Sequence, residues 1–288
     1  MKYHLHENGW TVIVDDFDFN HATKDDIDLI SRLVAKQTLV VVKNQNLTLE
    51  NELAVCRMFK NLKPAFDKED PVFKHSAADL SIDPDGMICR VTGEKNDEGK
   101  TGIAGHASEM AWHNNAPYDP DRRPIIWLYS IKGSKGSRTS YNNTVLAYND
   151  LDQETKDKLK DLKCIYFSGI KLNADNVTSD NKKIIEDFTP PLVYTNIANQ
   201  TGLYLSPYLL ETFVGMNKEE TKAIVDPLFE FVIQDKYCYH HDWDDRDVLL
   251  GEQWLGIHKR WYFEKIEHRL LHRAAFDFTD QDYTNIQL

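Results

Sequence analysis

The sequence predicts an α+β fold, a single β-rich domain whose antiparallel barrel carries flanking helices, and three observations lead there. β-branched and apolar runs at 38–42, 125–131, 139–145 and 164–170 are bounded by turn residues, as strands are. Apolar residues at helical spacing follow capping residues at 24–36 and again after Thr48. Two histidines far apart in the chain, His113 and His258, with Arg273 trailing the second, form the pattern by which a β-barrel enzyme assembles an iron site beside an anion clamp.

Taken in order, residues 10–14 read as a short strand ending in Asp15-Asp16. Thr23 then caps a helix over 24–36 that carries Ile27, Ile30, Leu33 and Val34 on one face. The wholly apolar run 38–42 suits a buried central strand, and Thr48 opens a second helix with Leu53, Cys56 and Phe59 on one face. A β-α-β-α entry results. The polar segment 67–106, rich in Gly and Asp and broken by a strand at 87–91, reads as a lid over a site. The strands at 125–131, 139–145 and 164–170 are separated by Gly133-Ser134-Lys135-Gly136 and by an acidic helix over 152–162. A helical insert is expected at about 208–236, its helix running near 218–234 with a bend at Pro227. Residues 248–278 return to strand character.

Composition narrows the function. With 46 acidic against 34 basic side chains the formal charge is -12, which repels phosphate backbones and argues against a nucleic-acid partner. The four cysteines, Cys56, Cys89, Cys164 and Cys238, form no C-x-x-C, so reduced thiols are the default. The N-terminus has no signal-like apolar run and no segment is apolar enough to span a bilayer. A soluble, cytoplasmic protein acting on a small molecule is expected, with no membrane partner; its oligomeric state is left open.

A mononuclear non-haem iron site needs two imidazoles and a carboxylate on one face of the metal. Residues i and i+2 of a strand project to the same side, so His113 and residue 115 supply one half and His258 the other. Arg273 can grip the far carboxylate of a diacid bidentately, and Arg269 faces the same way. Position 115, however, is Asn.

Five elements in order then carry a resemblance to the TauD/TfdA family of iron(II)- and 2-oxoglutarate-dependent dioxygenases. Leu39 to Thr48 resembles its early strand and D-Q-x-hydrophobic-T turn, and His113-Asn114-Asn115-Ala116-Pro117-Tyr118 its H-x-D/E segment. Gly136-Ser137-Arg138-Thr139 is similar to its G-G-x-T. Glu252 to His258 stands where the family has D-N-R-x-x-x-H, and His272-Arg273-Ala274 resembles its terminal H-R-hydrophobic element. The resemblance implies a double-stranded β-helix (jelly roll) core and the use of Fe(II), 2-oxoglutarate and O2. It implies oxidative decarboxylation to succinate and CO2 coupled to oxidation of a substrate C–H bond, usually hydroxylation. Carried across, His113 and His258 ligate iron, Asn115 occupies the carboxylate's place, Arg273 clamps the 2-oxoglutarate C5 carboxylate, Thr139 helps hold the co-substrate, and Arg269 gives a supporting contact.

Asn115 departs from that pattern, since a neutral amide is a weaker ligand for Fe(II) than a carboxylate. Four explanations stand open: a weak third ligand, a position left to water or halide as in halogenases, a substitution that quiets turnover, or a binding protein that has lost turnover. The resemblance also implies that Glu109, four residues before His113, faces substrate, where its carboxylate would favour a small cationic or amino-acid-like molecule. His240-His241-Asp242 with Asp244, Asp245 and Asp247 reads as a solvated acidic turn and not a second metal site, because consecutive strand residues face opposite sides. The tryptophans read as core and rim packing, and Asn114 as pointing away from the metal.

Overall fold

Thr23 and Asp26 close a reciprocal capping box ahead of α1 (Lys24–Gln37), whose buried face carries Ile27, Ile30, Leu33 and Val34. The helix ends as Thr38 turns left-handed and feeds β3 (Leu39–Val42), every residue of which is buried. Thr48 caps α2 (Leu49–Met58), whose Leu53 and Cys56 pack in the core with Phe59 as expected, while Glu52 and Val55 are buried beside them, a core carboxylate that the apolar spacing did not announce. The structure, a computed structural model, describes residues 1–64, 81–97, 99–168 and 183–283.

Two facing sheets build the centre. The larger has seven strands in the order β1 (Lys2–Leu5), β2 (Val12–Asp16), β3, β14 (Val248–Glu252), β6 (Ile125–Lys132), β16 (Leu270–Phe276) and β4 (Cys89–Thr92). Its pairs are antiparallel apart from the parallel β2–β3 pair that α1 connects. The smaller has four strands in the order β13 (Cys238–Asp242), β7 (Arg138–Asn143), β15 (Gly256–Arg260) and β5 (Met110–His113).

Alternation along each strand sorts side chains into layers. Val40, Val42, Trp127, Leu250 and Phe276 pack with α1 and α2 in one core cluster, while Leu39, Val41, Ile126, Leu128, Leu249 and Leu271 meet Tyr141 and Trp243 between the sheets. Close packing fixes Gly251 there, since a Cβ would lie 2.5 Å from the Tyr141 ring. On the outer side of the smaller sheet, Trp112 and Ile257 pack against α3 (Thr144–Asp150), α4 (Gln153–Leu159), β8 (Cys164–Ser168) and α5 (Lys218–Val232).

Several expectations change. Of the runs beginning at Ile125, Thr139 and Cys164, the first two are β6 and β7 in the two facing sheets, but the third, β8, lies outside them in a separate sheet between β12 (Leu210–Phe213) and β9 (Lys183–Ile185). The strand starting at Arg138 stops at Asn143, because the Asn143 side chain accepts the Val145 and Leu146 amides and starts α3. The stretch 208–236 is not helical throughout, since β12 occupies Leu210–Phe213, and α5 continues through Pro227 without a break. Of the expected lid, residues 67–80 and 98 lie outside the described residues. Its strand β4 is an edge of the large sheet, paired with β16, and so is framework. No helix among the described residues is long and apolar enough to cross a membrane.

Candidate metal and diacid site

His113 is the last residue of β5, and His258 is its direct cross-strand partner on β15. That register is why imidazoles so distant in sequence meet, with ring centroids 4.3 Å apart. Two residues of β5, Ala111 and Trp112, oppose the single Lys259 of β15 next to this pair, a bulge of the kind that re-aims side chains beside active sites. Tyr141, opposite His258 on β7, stacks on the His258 ring at 5.3 Å. His113 Nδ1 donates to the Ala111 carbonyl at 2.7 Å, which leaves Nε2 as the lone-pair nitrogen. Burial in apolar surroundings pushes His113 down to about 4 and His258 well below its ordinary value, with Arg273 adding to both. Both rings are therefore neutral near pH 7, the form that binds a metal.

These rings open on a cavity of about 60 Å³ between the sheets. Val91, Ile103, Ile126, Leu128 and Leu271 supply its apolar wall; Asn115, Thr139, Arg260, Arg269 and Arg273 complete the lining with the histidines. Three guanidiniums thus meet in a space that no Asp or Glu among the described residues lines. Among the described residues, no cluster of three or more His, Cys, Asp or Glu could hold a metal ion, so the amide of Asn115 is what stands beside the histidine pair.

Arg269 is the deepest of the three. Its residue is 2 % exposed, and its Nε and Nη1 have no partner among the described residues. The guanidinium lies 5.9 Å from the Trp243 ring centroid, and the Trp243 indole N–H donates to Thr139 Oγ1 at 2.9 Å. Thr139 therefore keeps its own hydroxyl proton for another acceptor. Burial, with Arg260 nearby, pushes Arg269 down to about 9. Arg273 is half-buried on β16, two residues beyond Leu271 on the same face, with Nε unpartnered. Arg260 donates from Nη1 to the Ala104 carbonyl and from Nη2 to the His106 and Ser108 carbonyls, the latter at 2.7 Å, tying that loop to the strand that carries His258. Its Nε is unpartnered as well.

Asn115 lies just past the end of β5, in a bend followed by left-handed Ala116. Its Nδ2 donates to Gln253 Oε1 at 2.6 Å. Asn114 faces the opposite way, its Nδ2 donating to the Leu205 carbonyl at 3.4 Å. Glu109 does not line the cavity: it pairs with Lys259 at 2.8 Å, and the Lys259 ammonium sits 4.0 Å from the Trp261 ring centroid. The segment read as a solvated acidic turn is in part buried. His241 and Asp247 are 2 % and 1 % exposed and meet at 3.1 Å, with Lys43 on the same carboxylate at 2.6 Å, while His240 faces out as strand alternation requires. That cluster is internally neutralised.

Sequence reasoning gave no role to Gln253 or Arg260. The signal for Arg260 was present, since i and i+2 on β15 put it on the face of His258; nothing local marks Gln253, which reaches Asn115 through the fold.

Comparison with known proteins gives the family and the fold. The family model described as "Taurine catabolism dioxygenase TauD, TfdA family" matches residues 4–275. The (S)-phenoxypropionate/alpha-ketoglutarate-dioxygenase of Sphingobium herbicidovorans is 24% identical over 244 residues, 81% of this chain and 79% of that protein. The alpha-ketoglutarate-dependent 2,4-dichlorophenoxyacetate dioxygenase of Cupriavidus pinatubonensis is 20% identical over 272 residues, 91% of this chain and 92% of that one. Among solved structures, AAD-2 in complex with Mn(II) and N-oxalylglycine superposes with a TM-score of 0.81 at 19% identity, covering 98% of this chain and 99% of its own. A taurine dioxygenase from Burkholderia xenovorans gives 0.72 at 16% identity, covering 92% and 85%. The two facing sheets thus belong to a shared jelly-roll fold.

Proposed function

The chain belongs to the TauD, TfdA family and is an alpha-ketoglutarate-dependent dioxygenase using Fe(II), 2-oxoglutarate and O2; from that premise we propose that it hydroxylates a C–H bond of a small, amino-acid-like substrate, releasing succinate and CO2. One observation carries the reading. Two neutral imidazoles are cross-strand partners at 4.3 Å inside a cavity whose guanidiniums keep unpartnered N–H groups. Buried donors without partners are costly, and a bound dianion would satisfy them. The residues present therefore fit both groups: His113, His258 and Asn115 would hold the metal, and the arginines the diacid.

When bound, iron and 2-oxoglutarate supply the oxidising chemistry. The chain itself binds, orients and excludes water. Burial supports giving the far carboxylate to Arg269 with the Thr139 hydroxyl, in place of Arg273, because Arg269 lies deepest and the two residues flank Trp243. Arg273, whose charge acts on both histidines, then serves the metal-proximal end. The apolar wall keeps water from that end. Outside the cavity lining, Glu109 is compensated by Lys259, so an acid and a base stand side by side, a match for a zwitterion better than for a plain cation.

Incubating the protein with Fe(II) and 2-oxoglutarate tests this by succinate release. Release that disappears in His258→Ala is expected; no succinate from the parent protein across a panel of amino acids would sink the proposal.

A further inference from the structure

We infer that the third metal position is a built carboxamide site, oriented by Gln253, and that its neutrality makes metal uptake depend on the diacid; this rests on the dioxygenase reading above. Gln253 is buried just past the end of β14, and its Oε1 accepts from Asn115 twice, from the backbone N–H at 3.3 Å and from Nδ2 at 2.6 Å. Its Nε2 donates to the Arg123 carbonyl at 3.1 Å, which decides which end of the Gln253 amide meets Asn115. Arg122 Nη1 donates to the Asn115 carbonyl at 3.4 Å and holds the backbone from the other side. With the N–H end of Asn115 engaged, Oδ1 is the atom left for the cavity that Asn115 lines.

A carboxylate at position 115 would set an acceptor against Gln253 Oε1. Turning the Gln253 amide over would relieve that clash but surrender the bond to Arg123. The surroundings are complementary to an amide and not to an acid, so Asn115 is part of the design of this cavity.

Charge gives the consequence. His113, His258 and Asn115 are neutral donors, and the same cavity holds Arg260, Arg269 and Arg273 with no acidic side chain among the described residues. A divalent cation entering alone meets only positive charge. A keto-diacid brings two negative charges, so each ligand prepares the site for the other, and the coupling is reciprocal. Gln253 is in these terms a positioning residue, acting on the metal through Asn115.

Calorimetric titration of the metal-free full chain with Mn(II), with and without saturating N-oxalylglycine, tests the inference. Without the diacid, Asn115→Asp should bind Mn(II) at least about tenfold tighter than the parent chain, and with it the gap should narrow to under about threefold. Equal affinity of the two proteins for Mn(II) alone overturns the proposal. Failure of the parent chain to bind Mn(II) even with N-oxalylglycine instead overturns the dioxygenase reading, and this inference with it. For Gln253, the visible bands of Co(II) at saturating metal and N-oxalylglycine should shift in Gln253→Leu while far-ultraviolet circular dichroism stays unchanged; unshifted bands remove its positioning role.

Discussion

Strand β16 shows its two faces to different worlds. On the helix side, His272 Nδ1 meets Glu52 Oε2 at 2.6 Å, and Glu52 Oε1 accepts the Trp127 indole N–H at 3.0 Å, so a charged group buried under α2 has both oxygens partnered. On the other side, Arg273, with Arg269 just before the strand, leaves guanidinium nitrogens without partners among the described residues. Both faces bury polar groups, yet only one satisfies them internally. Burial of charge alone does not separate scaffold from site; incomplete pairing does.

The largest effect expected on breaking this contrast is at Glu52. Glu52→Ala strands His272 and Trp127 in the core and should cost about 3–5 kcal/mol of unfolding free energy, read by denaturant titration. Affinity of the surviving folded protein for 2-oxoglutarate should stay within about twofold, since the two networks share no partner. Arg269→Met is the mirror experiment. Losing a buried guanidinium that awaits its anion should weaken 2-oxoglutarate binding by about 2–5 kcal/mol in calorimetry. Without ligand the melting temperature should hold or rise, because a desolvated, unpaired charge is replaced by an apolar side chain of similar volume. A large fall in melting temperature would place Arg269 among the scaffold residues.

That division explains what the chain made legible before folding. Capping residues Thr23 and Thr48, the apolar run at Leu39 and the alternation along β16 are local signals, and the elements they announce are present. Sheet membership is not local: nothing near Ile125 or Thr139 says that their strands lie in opposite sheets of the jelly roll, or that the strand at Cys164 lies in neither. His113, Asn115, His258, Thr139, Arg269 and Arg273 were legible as residue types at spacings, and the fold brings all of them to one cavity. Their ranking was not legible, because depth depends on Trp243, just past β13, and on Arg260 of β15, which approach Arg269 from elsewhere in the chain. Glu52 escaped for a similar reason, since helical spacing alone offered Leu53 as the buried neighbour and no local rule predicts a core carboxylate.

Glu252 is intermediate and sharpens the rule. Its Oε2 accepts from Asn196 at 2.8 Å, but Oε1 has no partner among the described residues, and burial pushes the carboxyl from 4.5 up to about 8. A carboxyl raised on folding contributes stability that is complete below pH 4.5 and is lost as pH climbs through about 8. Glu252→Gln removes the titration, so its stability should be nearly flat over that window and should exceed that of the parent chain above it by on the order of a few kcal/mol. Parallel stability curves for the two proteins would mean that Glu252 is compensated after all.

The smallest effect belongs to the Glu109–Lys259 pair outside the cavity lining, where pairing is complete but solvent screens it. Glu109 has a side chain 41% exposed against Lys259 at 17%, and such a pair is worth about 0.2–1 kcal/mol. Glu109→Gln should therefore leave unfolding nearly unchanged, the more so because the Lys259 ammonium keeps its seat on Trp261. Its effect should surface in recognition instead. If the acid–base pair reads a zwitterion, the concentration of the stimulating amino acid needed for half-maximal succinate release should rise about fivefold, with the maximal rate and the 2-oxoglutarate requirement unchanged, the signature of lost uniform binding. A variant stimulated by the same amino acids at the same concentrations would leave the Glu109–Lys259 pair as surface charge, and recognition would then fall to the guanidiniums inside the cavity.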